Sequence, residues 1–145
     1  MTGVEIVRIA EAWLGTPYRH QASARGAGCD CLGLVRGVWQ DAFGAEPETP
    51  PPYSADWDEV AGRDVLKSAA ERLLVASNSL APGVVVLFRM RRGAVAKHLG
   101  ICSRAGADPR FIHAMSGRGV VSSALTPGWA RRIDGIYAFP GVRDN

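Results

Sequence analysis

What this 145-residue chain lacks narrows it first. It has no run of ~18 apolar residues, so no helical membrane span is expected. It has no block of Lys/Arg. "RMRR" at 89–92 is its densest basic stretch, and the setting reads as a hairpin tip. The net charge is +3 and the pI about 9.0. That weak basicity suits an anionic partner such as nucleic acid or cell wall, but an ordinary basic protein carries it too. Cysteine is scarce: three residues, an odd number without paired spacing, which argues against a disulfide framework. The N-terminus lacks the unbroken apolar stretch of a secretory signal, because Glu5, Arg8 and Glu11 interrupt it. The chain is therefore expected to be made in the cytoplasm without a signal peptide. No internal repeat, low-complexity tract or domain boundary is visible, so residues 1–145 read as one domain.

What is there suffices for a packed core: 47% hydrophobic residues against 21% charged. Thr2 and Glu5 form a Thr-x-x-Glu capping box, and the apolar spacing behind it predicts a helix over 3–14, stopped by Gly15 and Pro17. Residues 15–30, "GTPYRHQASARGAGCD", read as a loop. Asp30 is a good N-cap for a second helix over 31–43, with Gly44 as its stop. "AEPETPPPYSADW" reads as an extended surface crossing, since three consecutive prolines bar regular structure. Helical spacing returns over 58–77. The period then changes. "VVVLFRM" (84–90), "KHLGICS" (97–103), "RFIHAMS" (110–116), "GVVSSAL" (119–125) and "RIDGIYAF" (132–139) are short, β-rich and separated by turn residues. Helices first and strands second predict an α+β fold, with N-terminal helices packed on an antiparallel sheet of about five strands.

Cys31 opens the second helix. Backbone N–H groups and the helix dipole favour negative charge there, and such positions lower a thiol pKa from ~8.5 to as little as ~3.5–7.5. A thiolate nucleophile is one reading of Cys31; a small buried hydrophobe is the other. His98 and His113 fall on consecutive strands. Pairing one with the other centres a turn between Ala105 and Gly106, inside the turn cluster "RAGADP". Opposed side chains have Cβ atoms ~4.5–5.5 Å apart, so one imidazole can orient the other. Thiolate, imidazole and a third polar group make the arrangement of a cysteine hydrolase. Zinc fits poorly. His98 and Cys102 lie ~13 Å apart along a strand, too far to share an ion whose bonds are ~2.0–2.3 Å. Cys29-x-Cys31 is shorter than the usual zinc spacing. Cys29 is expected to be available for a reversible disulfide with a partner, and Cys102 to pack.

"LGTPYRHQ", "GCDCLGLV", "PGVVVLF", "KHLGI" and "FIHA" stand in the order and spacing of the NlpC family of papain-like cell-wall peptidases, which the chain resembles over residues 6–139. Leu32 and the "LVRGVW" run look more like the subgroup carried by phages and gene transfer agents. The resemblance implies that Cys31 is the nucleophile, His98 the base and His113 the third polar member. It matches Tyr18 to a tyrosine near the nucleophile that helps bind substrate or oxyanion. His20 and Asp30 are expected beside it in the same substrate and oxyanion region. The implied substrate is the peptidoglycan stem peptide, cut between γ-D-glutamate and a diamino acid, with no metal or organic cofactor. The subgroup implies tail-tip or baseplate hub proteins as partners, no direct nucleic-acid binding, and action in the periplasm or wall of a target cell. Leu32 in place of serine, Val84 in place of aspartate, and a lengthened interval from His98 to His113 depart from the family pattern. An amidase or acyl transferase on the same fold, and a structural tail-tip piece with a relict site, are the rival readings.

Overall fold

Residues 1–48 and 65–143 are described in a computed structural model of the chain. Helix α1 (Gly3–Glu11) starts with the expected capping box. The Glu5 N–H donates to Thr2 Oγ1 at 3.2 Å, and the Thr2 N–H donates to Glu5 Oε2 at 2.8 Å. Ile6, Val7 and Ala10 lie three and four apart and form its buried stripe. The helix ends three residues before the predicted Leu14. Trp13 leaves the helical path and sets its indole against the second helix, where a Cβ on Gly37 would come within 2.1 Å of the ring. The indole Nε1–H donates to Asp41 at 3.0 Å. Tertiary packing of one large side chain thus overrides the local periodicity.

The stretch predicted as loop contains a small hairpin, β1 (Ser23–Ala24) with β2 (Gly28–Cys29). Helix α2 (Cys31–Phe43) has the predicted ends: Asp30 is the N-cap and Gly44, at φ 87°, the left-handed C-cap. Of the helix predicted over 58–77, residues 58–64 lie outside the described residues, as does 49–57 of the proline-rich crossing. The remainder is α3 (Val65–Leu73), after which the chain turns into β3 (Val75–Ser77). That strand forms because a distant partner captures it: Val75 pairs with Ala138 and Ser77 with Ile136.

The other strands are β4 (Val85–Arg89), β5 (Ala96–Arg104), β6 (Arg110–Met115), β7 (Gly119–Ala124) and β8 (Ile133–Ala138). They form a sheet of order β3-β8-β4-β5-β6-β7, antiparallel throughout. The α+β architecture is as predicted, with six strands in place of about five. A short helix, α4 (Pro127–Ala130), was not predicted. It is capped by Thr126 and carries Pro127 in its first turn.

Alternation divides the sheet into two faces. Val85, Leu87, Leu99, Ile101, Ile112 and Ala114 meet Ile6, Ala10, Leu34 and Val38 of the helices in the larger core. Val86, Phe88, Cys102 and Phe111 point the other way, where Leu125 and Trp129 cover them in a smaller core. Cys102 is fully buried there, as expected. Full burial of each such side chain contributes about 1.5–3 kcal/mol.

Candidate active site

The site forms where the start of α2 meets the start of β5. Asp30 organises the first of these. Its Oδ1 accepts the Gly33 N–H at 2.7 Å and its Oδ2 accepts the Gln21 N–H at 2.7 Å. The carboxylate therefore ties the preceding loop to the helix. Cys29 is fixed in the same way: its N–H donates to Pro17 O, and its carbonyl accepts from Arg19, both at 3.0 Å. This bridge lays Tyr18 alongside Cys29. Cys29 has no exposed surface, which removes the expected disulfide with a partner; it packs with the larger core.

A cleft of about 200 Å³ is lined by Tyr18, His20, Asp30, Cys31, Lys97 and His98, and closed by Ala114, Met115 and Ser116. It gathers every residue singled out from the sequence except His113, which stands directly behind His98. A roomier apolar groove of about 590 Å³ lies between α2 and α3, lined by Leu32, Trp39, Leu66 and Leu99 among others. No cysteine or histidine lines it, so the chemistry belongs to the smaller cleft.

Behind the cleft runs a hydrogen-bonded chain. His98 Nε2 and His113 Nδ1 are 2.8 Å apart, and His113 Nε2 is 2.8 Å from Ser123 Oγ. The two imidazoles touch as predicted, but the predicted register is wrong. Ile101 pairs with Ile112 and Cys102 with Phe111, while Arg104 pairs with Arg110 across an irregularity at Ser103. Continued toward the cleft, this places Gly100, not His98, opposite His113. The histidines are diagonal neighbours, two residues out of direct opposition and still on one face. Gly100 makes the diagonal possible: a Cβ there would lie 2.7 Å from the Phe111 ring and 3.3 Å from His113 Cβ.

Phe88, Phe111 and Trp129 pack around this pair. The Trp129 ring lies 5.6 Å from His98 and 5.4 Å from His113, and the Phe111 ring 4.1 Å from His113. His98 and His113 are 8% and 1% exposed. Burial therefore lowers His98 to about 4. Burial, then the neighbouring His98 and Arg118, lower His113 to about 3. Both imidazoles rest neutral at pH 7.

The predicted low pKa of Cys31 is overturned. Burial, reinforced by the Asp30 carboxylate, pushes the thiol up to about 12. The amides of Leu99, Leu32 and Cys31 act in the stabilising direction but do not win. Desolvation of a 5% exposed sulfur outweighs the helix N-terminus. Cys31 rests as a neutral thiol, its Sγ 4.0 Å from the Lys97 carbonyl, in the cleft that the neutral His98 also lines. Tyr18 is likewise raised to about 12, by burial and then by Cys31, Asp30 and Cys29, so its hydroxyl stays a hydrogen-bond donor. Asp30, an anion with both oxygens engaged by backbone N–H groups, is unsuited to hold an oxyanion. His20 lies on the exposed lip, with Nδ1 3.8 Å from Asp30 Oδ2.

Sequence reasoning missed Ser123, Trp129 and Lys97. Ser123 was within reach, because His113 pairs with Val121 across the tight turn at 116–118, and Ser123 is two residues further on the same face. Trp129 carried no such signal. It reaches the histidines from a helical turn outside the sheet.

The model of the NlpC/P60 family matches residues 15–137, and the chain belongs to that family. The gamma-DL-glutamyl hydrolase of Bacillus subtilis (strain 168) is 33% identical over 140 residues, which are 96% of this chain and 30% of that protein. The Escherichia coli (strain K12) protein named "Probable endopeptidase NlpC" is 30% identical over 115 residues, 79% of this chain and 63% of that one. The chain thus spans about a third and just under two thirds of the lengths of these relatives. Among solved structures, the NlpC/p60 domain of the peptidoglycan hydrolase SagA aligns at TM-score 0.64 and 20% identity, over 96% of this chain and all of that one. A family member from Bacillus cereus ATCC 10987 aligns at TM-score 0.65 and 20% identity, over 96% and 40%. These likenesses confirm the papain-like α+β fold.

Proposed function

We propose that this domain is a cysteine peptidase that hydrolyses peptidoglycan stem peptides at the γ-D-glutamyl to diamino acid bond. The observation that carries this reading is the chain His98–His113–Ser123 running up to a cleft that also holds Cys31 at a helix start. His98 Nε2 is engaged by His113, so Nδ1 is the nitrogen left to serve Cys31. For Nδ1 to accept a proton, Nε2 must carry one and donate it to His113 Nδ1. His113 Nε2–H then donates to Ser123 Oγ. One tautomer of each ring satisfies the whole chain.

The high thiol pKa sets the order of events. His98 takes the Cys31 proton as sulfur attacks the scissile carbonyl, in the manner of a serine–histidine pair. The Cys31 amide and the Tyr18 hydroxyl face the developing oxyanion. The Asp30 side chain holds the Gly33 N–H and its carbonyl holds that of Leu34; the helix start is thus fixed around the sulfur. The imidazolium, stabilised by donating to His113, returns the proton to the leaving amine. Water then resolves the acyl-enzyme.

The name of the Bacillus subtilis relative supports a γ-glutamyl bond as the target. Leu32 and the "LVRGVW" run support carriage by a phage-like particle, made in the cytoplasm and acting on the wall of a target cell. Digestion of defined peptidoglycan fragments, read by mass spectrometry, tests the chemistry. A new amino terminus on the diamino acid supports the peptidase; a released lactyl group supports an amidase instead. Co-sedimentation of the protein with tail-like particles tests the carriage.

A further inference from the structure

The smaller core is closed by a ring that does not belong to the sheet. Trp129 stands on α4, the four-residue helix between β7 and β8. Its turn is pinned locally. Thr126 Oγ1 accepts the Trp129 N–H at 3.4 Å, the Ala130 N–H donates to Thr126 O at 2.8 Å, and the Arg132 N–H donates to Trp129 O at 2.9 Å. The Arg132 carbonyl in turn accepts the Arg89 N–H at 2.8 Å, which ties the turn to the end of β4. Between ring centres, the indole lies 5.0 Å from Phe88, 5.2 Å from Phe111, 5.6 Å from His98 and 5.4 Å from His113. Among the described rings it alone is paired with both phenylalanines and both histidines. It meets His98 at 32° and His113 edge-on at 83°, and the exposed Arg132 guanidinium lies 5.7 Å over it.

Phe88 and Phe111 are strand residues with no exposed surface, whereas Trp129 is half-buried. The two phenylalanines fill the core, and the indole forms its outer wall. Behind that wall His98 and His113 keep only 8% and 1% of their surface exposed. The hydrogen bonds of the histidine chain, His98 Nε2 to His113 Nδ1 and His113 Nε2 to Ser123 Oγ, do not involve the indole. Its contribution to the pair is therefore dryness and ring orientation, delivered through stacked and edge-on contacts.

We propose that Trp129 is a positioning residue of this site: its indole closes the His98–His113 pair off from solvent and fixes the planes of both rings, so that His98 remains a free base for Cys31 at the acidic end of the working range. The inference rests on the hydrolase reading above and adds to it the residue that sets its lower pH limit. Burial is the first cause that lowers both histidines, to about 4 and about 3. Removing the indole admits water, which favours the imidazolium, so both values rise toward the ordinary 6.5. The charged and titratable groups around the pair stay in place. Tyr18, His20, Asp30, Cys31 and Lys97 share the cleft with His98, and Arg118 acts on His113 from the turn after β6. Arg132, released from its ring, repels an imidazolium and so acts in the opposite direction. A rise on losing the indole is thus the work of water.

NMR titration of the histidine rings in the full chain tests this without turnover, from pH 8 down to about 4. Wild type is compared with Trp129→Ala and Trp129→Phe, and circular dichroism confirms the fold of each. Trp129→Ala moves the His98 and His113 midpoints up by about one pH unit. Trp129→Phe, which keeps a ring in place, moves them less. The acid limb of kcat/KM on a peptidoglycan fragment moves up by the same interval in Trp129→Ala, because a base with a higher pKa is occupied by its proton at a higher pH. If the alanine variant does not fold, Trp129→Leu is read by the same titration. Unmoved midpoints in a folded variant, even one with a lowered melting temperature, reduce Trp129 to packing and overturn the proposal. Equal shifts in the alanine and phenylalanine variants deny that a ring is the seal and overturn it too. Shifted midpoints beside an unmoved acid limb overturn the link to the base. Shifted midpoints in a protein whose wild type cleaves no peptidoglycan fragment leave the indole's hold on the histidines standing and remove the hydrolase reading.

Discussion

The two faces of the sheet differ in purpose though they share the same strands. The helix-covered face is large and mostly aliphatic, and of the candidate site's side chains Cys31 and Tyr18 pack with it. The opposite face is small and aromatic, and beside it the two histidines are buried almost as deeply as any leucine. Residues 98 and 99 are neighbours in the chain, yet one joins the hydrogen-bonded histidine chain and the other the main core. The Cys31 sulfur comes from the helical side and the His98 imidazole from the other, and both line the cleft at the end of the sheet. In the proposed mechanism stability is therefore concentrated on one face and proton transfer on the other, and substitutions separate the two.

The largest effect is expected at Cys31. Cys31→Ala abolishes cleavage of peptidoglycan fragments, while thermal melting stays near wild type. Cys29→Ala, two residues away and in the core, keeps its activity and lowers the melting temperature. An active Cys31 variant beside a dead Cys29 variant would sink the assignment of the nucleophile.

His98→Ala lowers kcat by ~10²–10⁴-fold, the usual contribution of a general base. Leu34→Ala, on the helical face, costs about 2–5 kcal/mol in denaturant unfolding and leaves kcat per folded molecule near wild type. If the leucine variant loses turnover and not stability, the division between the faces does not hold.

His113→Ala falls below wild type by less than His98→Ala does, and Asn at 113 recovers part of the rate by restoring a hydrogen bond. Ser123→Ala costs a few-fold in kcat, because it removes the acceptor that selects the productive tautomer, and Thr at 123 restores it. Equal activity of the alanine and threonine variants would detach Ser123 from the relay.

The histidine face also sets the acid response. His98 and His113 titrate near 4 and 3 when folded, against about 6.5 when unfolded. Between those values the unfolded chain binds more protons than the folded one, so stability is full above pH 6.5 and is lost as pH falls toward 3. The melting temperature drops across that window, and His113→Asn flattens the slope. For Cys31, held near 12, mass-mapped alkylation by iodoacetamide is negligible at pH 6 and climbs with pH above 9. Fast labelling at pH 6 would restore the thiolate reading.

The smallest effect is expected on the exposed lip. His20→Ala raises KM a few-fold with kcat unchanged, the mark of binding lost equally in ground and transition states. A fall in kcat alone would move His20 into the proton relay and displace His98.

Local chemistry was enough to determine the caps at Thr2, Asp30 and Gly44, the change from helical to strand period, and the identity of Cys31, His98 and His113 as the residues to watch. Each of these is written within a few residues of chain. The register between β5 and β6 was not, because the turn closes around Ala107, with Arg104 opposite Arg110, and the irregularity at Ser103 takes back only one residue of that offset, so the pairs at the cleft stand two residues from the predicted ones. Nor were β3, which exists only because β8 pairs with it, or the lid that Trp129 forms over the histidines from an unforeseen helical turn. The protonation of Cys31 belongs in the same group. A helix start announces a stabilised anion, but solvent exclusion is a property of everything packed around the sulfur. Here that packing, together with the charge of Asp30, outweighed the helix, and only the folded chain could decide it.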